Sequence, residues 1–136
     1  MATQADIEAF MAEEFPQNVS IIERVGNRSA TMRHRVSAND LRPGGTVSGP
    51  VMMMLADVAL YVAILGEIGI VPLTVTTSLN FNFMRKPSAH ADLLAVCTLM
   101  KVGRTLAIGE VALFSEGSED MVAHAVGTYA IPRATA

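Results

Sequence analysis

Asp57 is the residue whose setting most strongly suggests chemistry. It is the only charged residue between Arg42 and Glu67, and the side chains around it are mostly apolar. A buried carboxylate costs several kcal/mol unless it is hydrogen-bonded, paired or protonated. One explanation is purely structural, with neighbouring backbone groups bonding to the carboxylate. The other is that Asp57 lies in an apolar cleft as a general base or nucleophile, and its surroundings favour this interpretation.

A glycine-rich segment with the sequence GGTVSGP precedes Asp57 at residues 44–50. Pro50 suits the first turn of a helix, where backbone N–H groups point outwards and favour negative charge. Because Pro50 has no N–H, the Gly49 N–H is the natural donor to an oxyanion formed when a carbonyl is attacked. The simpler alternative is that Ser48 caps the helix and Gly49 only relieves crowding. The segment is neither a phosphate-binding loop nor a dinucleotide fingerprint.

Hydrophobic periodicity predicts the elements that must position these residues. A short amphipathic helix is expected at 6–15, a loop at 37–49 and a long helix, buried all round, at 51–65. Strands are expected at 20–24, 29–36, 73–83, 92–101, 104–114 and 121–131. The order predicts a single α+β domain over residues 1–136, in which an antiparallel sheet of five to six strands wraps around the long central helix.

The strands carry two further patterns. In the strand at 73–83, odd-numbered residues such as Leu79 and Phe81 are expected to face one way, and Thr76 with the other even-numbered residues the opposite way. Residues 93–96 are apolar at every position. Strands of that kind predict a covering on both faces, by the helix inside and by another subunit outside.

Composition limits the classes of function. Hydrophobic residues make up 51% of the 136 residues and charged residues 17%, which excludes a disordered chain. A net charge of −3 without a long basic run does not suggest a nucleic-acid partner. The single cysteine, Cys97, excludes an internal disulfide framework and a cysteine metal cluster. The N-terminus lacks the pattern of a secretory signal, and the apolar stretch at 51–65 is shorter than the ~20 residues of a membrane span. A cytoplasmic protein without membrane contact is therefore expected.

Two short motifs resemble those of hotdog-fold acyl-CoA thioesterases. The sequence GTVSGP at 45–50, followed by LAD at 55–57, resembles the signature Gly-x-x-His-Gly-Gly, four residues, Leu-Ala-Asp. The likeness is greatest to the phenylacetate-degradation type, within the 4-hydroxybenzoyl-CoA thioesterase superfamily. Ser48 takes the His position and precedes Asp57 by nine residues, which is the family's spacing. Residues 80–87 resemble a family strand that ends before a proline, and residues 101–107 resemble its basic hairpin.

The resemblance implies that the protein hydrolyses an acyl-CoA to a carboxylate and free CoA. Asp57 would activate water or attack the thioester carbonyl, the Gly49 N–H would form the oxyanion hole, and Thr76 would help to place the water. Because related sites lie between two subunits, Thr76 could serve the Asp57 of a partner in a dimer or tetramer, although it could equally be an ordinary strand threonine. No metal and no cofactor other than the CoA of the substrate are expected. The residues implied in CoA binding are Arg42, Arg85, Lys86, Lys101 and Arg104, each of which could also be a solvated surface charge.

Two departures from the family pattern keep alternatives open. Ser48 replaces the usual His, and Arg42 falls where Asn is common. Ser48 can still donate a hydrogen bond to the substrate carbonyl, but it cannot act alone as a general base. One alternative is therefore an acyl-CoA-binding hotdog protein without activity. Another is a hotdog hydratase or dehydratase for enoyl thioesters, which would need a catalytic His, whereas the three histidines are interpreted as structural.

Overall fold

The computed structural model describes residues 1–133. The first two strands are followed by a long helix and then by four strands, as the sequence predicted. The elements are α1 (Gln4–Glu14), β1 (Ile21–Gly26), β2 (Ser29–His34), β3 (Leu41–Arg42), β4 (Thr46–Val47), α2 (Gly49–Ile68), β5 (Val75–Phe83), β6 (Leu93–Val102), β7 (Leu106–Ser115) and β8 (Met121–Ala130).

Six strands form one antiparallel sheet in the order β1-β2-β6-β7-β8-β5. β1 and β5 are its edges, and α2 packs against one face. Alternate residues of the central strands point at α2 and are buried, as Leu93, Ala95, Cys97 and Leu99 of β6 show. This α+β arrangement is the predicted hotdog fold, with six strands around a central helix.

The central helix α2 is longer than predicted, with 20 residues instead of the expected stretch at 51–65. Gly66 does not end it, because a glycine is needed there for close packing: a Cβ would lie 2.8 Å from Val25 Cγ2 of β1. The helix ends at Gly69, whose φ of 92° is costly for other residues. By length and composition alone α2 is therefore long and apolar enough to cross a membrane, which the shorter stretch expected at 51–65 was not. However, 61% of its most apolar window is buried inside the fold, as in the core helix of a globular domain.

α2 is also not buried all round. Met53 is 40% exposed, and Met54, Asp57 and Tyr61 on the same side of the helix are partly exposed. The sheet wraps only the opposite side of α2, where Leu60 fits above two glycines paired across β7 and β8. A Cβ on Gly109 would lie 2.9 Å from a Leu60 methyl, and one on Gly127 would lie 2.4 Å away. This close fit fixes the height of α2, and with it Asp57, above the sheet.

The segment predicted as a loop at 37–49 contains regular structure. A 3₁₀ turn at Ala38–Asp40 leads into a two-stranded ladder formed by β3 and β4. Asp40 holds the turn, since its carboxylate lies 2.9 Å from His34 Nε2 and accepts the Ser37 N–H at 2.8 Å. The Asp40 carbonyl also accepts the Ser48 N–H at 2.8 Å. The start of α2 is therefore anchored to β2 by a buried histidine.

The predicted alternation of β5 is wrong at its beginning. Thr76 pairs with Tyr129 and Leu79 pairs with Gly127, while Thr77 has no partner and forms a bulge. Because one extra residue reverses the alternation, Thr76 and Leu79 point to the same face of the sheet, towards α2. The bulge thus turns the Thr76 hydroxyl towards Asp57.

Candidate active site

The Asp57 carboxylate is held by two hydroxyl groups from neighbouring strands. Thr76 Oγ1 of β5 donates to Asp57 Oδ1 at 2.7 Å, and Tyr129 Oη of β8 lies 2.6 Å from the same oxygen. Within residues 1–133, Asp57 Oδ2 receives no hydrogen bond. A carboxylate bonded through one oxygen keeps the other free to accept a proton or to attack an electrophile. The bond from Thr76 lies within one chain, whereas one of the two alternatives for Thr76 placed it beside the Asp57 of a partner.

Tyr129 was not predicted as a site residue. Its side chain is 3% exposed, and burial together with the negative charge of Asp57 raises its pKa. The phenol therefore stays protonated and acts as a donor to Asp57 at ordinary pH. In the sequence, Tyr129 is a single aromatic residue in an apolar strand, which indicates no function by itself. Its position opposite Thr76 depends on the register of β5 and β8, which the sequence does not reveal.

A cleft of about 600 Å³ opens above Asp57, Thr76 and Tyr129. α1 and the segment that follows it form one wall, with Phe10 and Phe15, and the other walls are mostly apolar. The apolar residues of these walls include Met54, Val58, Pro72 and Val75. The cleft can accept an apolar group beside the free carboxylate oxygen.

Gly49 lies in a second, smaller cleft of about 350 Å³. Ser48 is the N-cap residue of α2, but its side chain makes no cap hydrogen bond, so the alternative in which Ser48 caps the helix is wrong. In the described part of the chain no acceptor is found for the Gly49 N–H, as is usual for the first turn of a helix. Phe83 covers Gly49 closely, since a Cβ there would lie 3.2 Å from the phenyl ring.

The predicted basic residues divide between two places. Arg42, Arg85 and Lys86 line the cleft of Gly49, although Arg85 also donates to the Met121 carbonyl at 3.2 Å. Arg104 lies in a third cleft with Arg133, beside the turn between β6 and β7, and Lys101 is exposed near that turn. A phosphate-bearing ligand near Gly49 would therefore meet Arg42, Arg85 and Lys86 of the same chain.

The two clefts are far apart within one chain. Gly49 and Asp57 are eight residues apart on α2, which corresponds to about 12 Å along the axis at 1.5 Å per residue. Attack on a carbonyl needs both the nucleophile and the oxyanion donor at ~3 Å from the reacting atoms. The Gly49 and Asp57 of a single chain therefore cannot act on the same carbonyl.

Neither His34 nor His124 bonds to Asp57 or Gly49. His34 contacts Asp40, and His124 Nε2 lies 3.4 Å from Glu110 on the outer face of the sheet. None of the residues that line the clefts of Asp57 and Gly49 is a histidine. Among the described residues no group of three His, Cys, Asp or Glu side chains could hold a metal ion.

The family model of the thioesterase superfamily matches residues 44–122, from the glycine-rich segment to the start of β8. The chain belongs to the thioesterase superfamily. A crystal structure from Silicibacter sp., described as a candidate thioesterase, is 45% identical, covers 96% of this chain and 92% of that one, and has a TM-score of 0.88. This hotdog protein is thus a thioester hydrolase by family. No curated protein sequence matches the chain.

More distant structures share the fold of this thioesterase. Zebrafish thioesterase superfamily member 2 is 22% identical, with a TM-score of 0.84 and coverage of 97% of this chain and 100% of that one. A variant of the phenylacetic acid degradation protein PaaI from Thermus thermophilus is 24% identical, with a TM-score of 0.75 and coverage of 91% and 99%. The predicted likeness to hotdog-fold thioesterases is confirmed.

Proposed function

We propose that the protein hydrolyses an acyl-CoA thioester to a carboxylic acid and free CoA, with Asp57 as the general base or nucleophile. The observation that carries the proposal is the Asp57 carboxylate, bonded through Oδ1 and free at Oδ2, in the lining of a mostly apolar cleft. This arrangement supports an acyl group in the cleft with its thioester carbonyl beside Oδ2. The family supplies the reaction class, thioester hydrolysis, and the CoA part of the substrate is our extension.

In the general-base form of the reaction, Asp57 Oδ2 takes a proton from water as the water oxygen bonds to the thioester carbon. The carbonyl oxygen becomes an oxyanion, for which the Gly49 N–H is the donor we assign. Collapse of this intermediate breaks the C–S bond, and the CoA thiolate leaves and is protonated. In the nucleophilic form, Oδ2 bonds to the carbonyl carbon, the C–S bond breaks and the CoA thiolate leaves; water then hydrolyses the acyl-aspartate anhydride, which releases the carboxylic acid and regenerates the Asp57 carboxylate. Ser48, beside Gly49, is a second possible donor to the carbonyl oxygen.

The distance between Gly49 and Asp57 supports a site built from two copies of the chain. Since the two groups of one chain are about 12 Å apart along α2, a Gly49 N–H that serves Asp57 would come from a second copy. The edge strand β5 suits this contact, because Val75 is 50% exposed and Phe83 is 52% exposed, and Thr76 is also exposed. We therefore propose a homodimer that pairs through β5. The partly exposed apolar residues on the outer sheet face, such as Val96 and Phe114, would permit a tetramer.

The charge around Gly49 supports CoA as the carrier of the acyl group. Arg42, Arg85 and Lys86 lie around the Gly49 cleft and could pair with CoA phosphates. Arg42 takes the place of an uncharged residue in the family pattern. Arg104 and Lys101 lie at the β6–β7 turn and are the second group we propose for the nucleotide part of CoA.

The test is release of free thiol from short, medium, long and aromatic acyl-CoAs. We expect hydrolysis of at least one class by the wild type and strong loss in Asp57→Asn. Glu119→Gln is the matched control, because it also converts a carboxylate to an amide but lies exposed in the β7–β8 turn.

Two outcomes would contradict the proposal. Tight CoA binding without hydrolysis of any ester would favour a non-catalytic acyl-CoA-binding protein, which the Ser48 replacement makes the chief alternative. Hydration of an enoyl-CoA without thiol release would favour a hydratase, an alternative that the absence of histidine from the lining of both clefts disfavours.

A further inference from the structure

Tyr129 is a buried ionisable residue to which the reaction above gives no role. Its hydroxyl lies 2.6 Å from Asp57 Oδ1 and 2.8 Å from the Asp57 main-chain carbonyl oxygen. A phenol has only one proton to donate, and the main-chain oxygen is also the acceptor of the ordinary helical hydrogen bond. The ionised carboxylate is therefore the stronger acceptor for the Tyr129 proton.

The fold brings Tyr129 and Thr76 together on the same carboxylate oxygen. The two residues are direct partners in the β5–β8 ladder, and the bulge at Thr77 turns Thr76 to the side of Tyr129 and α2. Two donors from adjacent strands therefore converge on Asp57 Oδ1. A carboxylate held in this way cannot turn about its Cβ–Cγ bond without losing both hydrogen bonds, so Oδ2 keeps a fixed position at the cleft.

We propose that Tyr129 is a positioning residue of the hydrolytic site, which with Thr76 holds Asp57 Oδ1 so that Oδ2 is the reacting oxygen. This inference rests on the proposed acyl-CoA thioesterase function and adds a separate role for each oxygen of the Asp57 carboxylate. Tyr129 lies in the wall of the cleft, but it is only 3% exposed and its hydroxyl is directed to Asp57, so it acts through Asp57. Its removal should impair the chemical step and leave substrate binding intact.

The test compares Tyr129→Phe with the wild type in the thiol-release assay. Phe keeps the aromatic ring, whose centroid lies 6.2 Å from that of Tyr61. We expect kcat to fall about tenfold to 100-fold, the scale of a misplaced catalytic group, with KM changed by less than about twofold. The acidic limb of the pH profile of kcat/KM should move to higher pH, because the ionised carboxylate loses a donor.

Thr77→Val is the control for loss of a hydroxyl in the same strand pair. Thr77 Oγ1 donates to the Thr128 carbonyl at 3.2 Å and does not bond to Asp57. We expect this variant to keep the wild-type kcat and pH profile. A loss of activity in Thr77→Val equal to that in Tyr129→Phe would overturn the inference, because the effect would then belong to the strand pair in general.

The results separate this inference from the proposed function. An active wild type, with kcat and pH profile unchanged in folded Tyr129→Phe, would overturn the role of Tyr129 and leave the thioesterase proposal standing. No thiol release by the wild type from any acyl-CoA would overturn both. If Tyr129→Phe does not fold, 3-fluorotyrosine at position 129 keeps the ring and strengthens the donor. The acidic limb should then move to lower pH, and an unmoved limb would refute the inference.

Discussion

The Gly49 N–H can be removed from the protein by a single substitution to proline. Gly49 is the first residue of α2, the helical position at which proline is favoured. Ser48 before it has φ of −71° and ψ of 151°, the extended conformation that a following proline requires. Gly49→Pro therefore deletes the proposed oxyanion donor, and the crowding of its new Cβ against Pro50 is shared by the matched variant below.

Gly49→Ala is the matched variant, because it adds the same Cβ and keeps the N–H. In both variants the Cβ lies about 3.2 Å from Phe83, whose ring is half exposed and can move by the few tenths of an ångström needed. The ratio of the two kcat values therefore measures the contribution of the Gly49 N–H to catalysis. Loss of one oxyanion donor costs about 10² to 10³ in kcat, or ~2.7–4 kcal/mol of transition-state stabilisation, so kcat should be lower in Pro than in Ala by that factor.

Thiol release at saturating acyl-CoA gives both kcat values, and thermal unfolding at equal subunit concentration checks that both variants fold. If folded Gly49→Pro and Gly49→Ala differ by less than about threefold, the N–H contributes nothing on the scale of an oxyanion donor. The assignment of Gly49 would then be wrong.

Three further predictions concern assembly, packing and pH. Co-refolding Asp57→Asn with Gly49→Pro should restore about a quarter of wild-type activity, because half of the dimers would be hybrids with one intact site of two; no recovery above the separate variants would refute the two-chain site. Gly127→Ala should lower the free energy of unfolding by about 1–3 kcal/mol in urea titrations, since its Cβ would lie 2.4 Å from Leu60 Cδ1; Leu60→Ala should reduce this penalty, and full additivity would contradict the contact. Burial raises the pKa of Asp40, but hydrogen bonds from Ser37 and His34 outweigh it and lower the pKa below 3.8. The free energy of unfolding of wild type should therefore exceed that of Asp40→Asn above about pH 4, and the excess should disappear as the pH falls through the lowered pKa of Asp40. A difference that persists unchanged in acid would refute this.

The sequence predicted the parts of the site that depend on local pattern. Asp57 could be identified because a lone charge in a continuous apolar helix needs an explanation. Gly49 could be identified because Pro50 after it has no N–H, which makes the Gly49 N–H the natural donor at the start of the helix. The order of strands and helix followed from periodicity. Each of these features lies in a short segment whose chemistry does not depend on distant residues.

Features that depend on register and tertiary packing could not be predicted. Tyr129 becomes a partner of Asp57 only through the pairing of β8 with β5, and the bulge at Thr77 has no sequence signal that marks it in advance. The central helix was expected to end at residue 65, but α2 continues through Gly66, the point of close contact with Val25.

The central claim is that Asp57 carries out the hydrolysis of an acyl-CoA. The measurement that tests it most directly is kcat/KM for thiol release by wild type and folded Asp57→Asn, on the acyl-CoA that the wild type hydrolyses fastest. Asn keeps the shape of the side chain but can neither take a proton from water nor attack the thioester. We predict a loss of at least about 100-fold, the scale of a general base or nucleophile. Activity in Asp57→Asn within about threefold of wild type would contradict the claim.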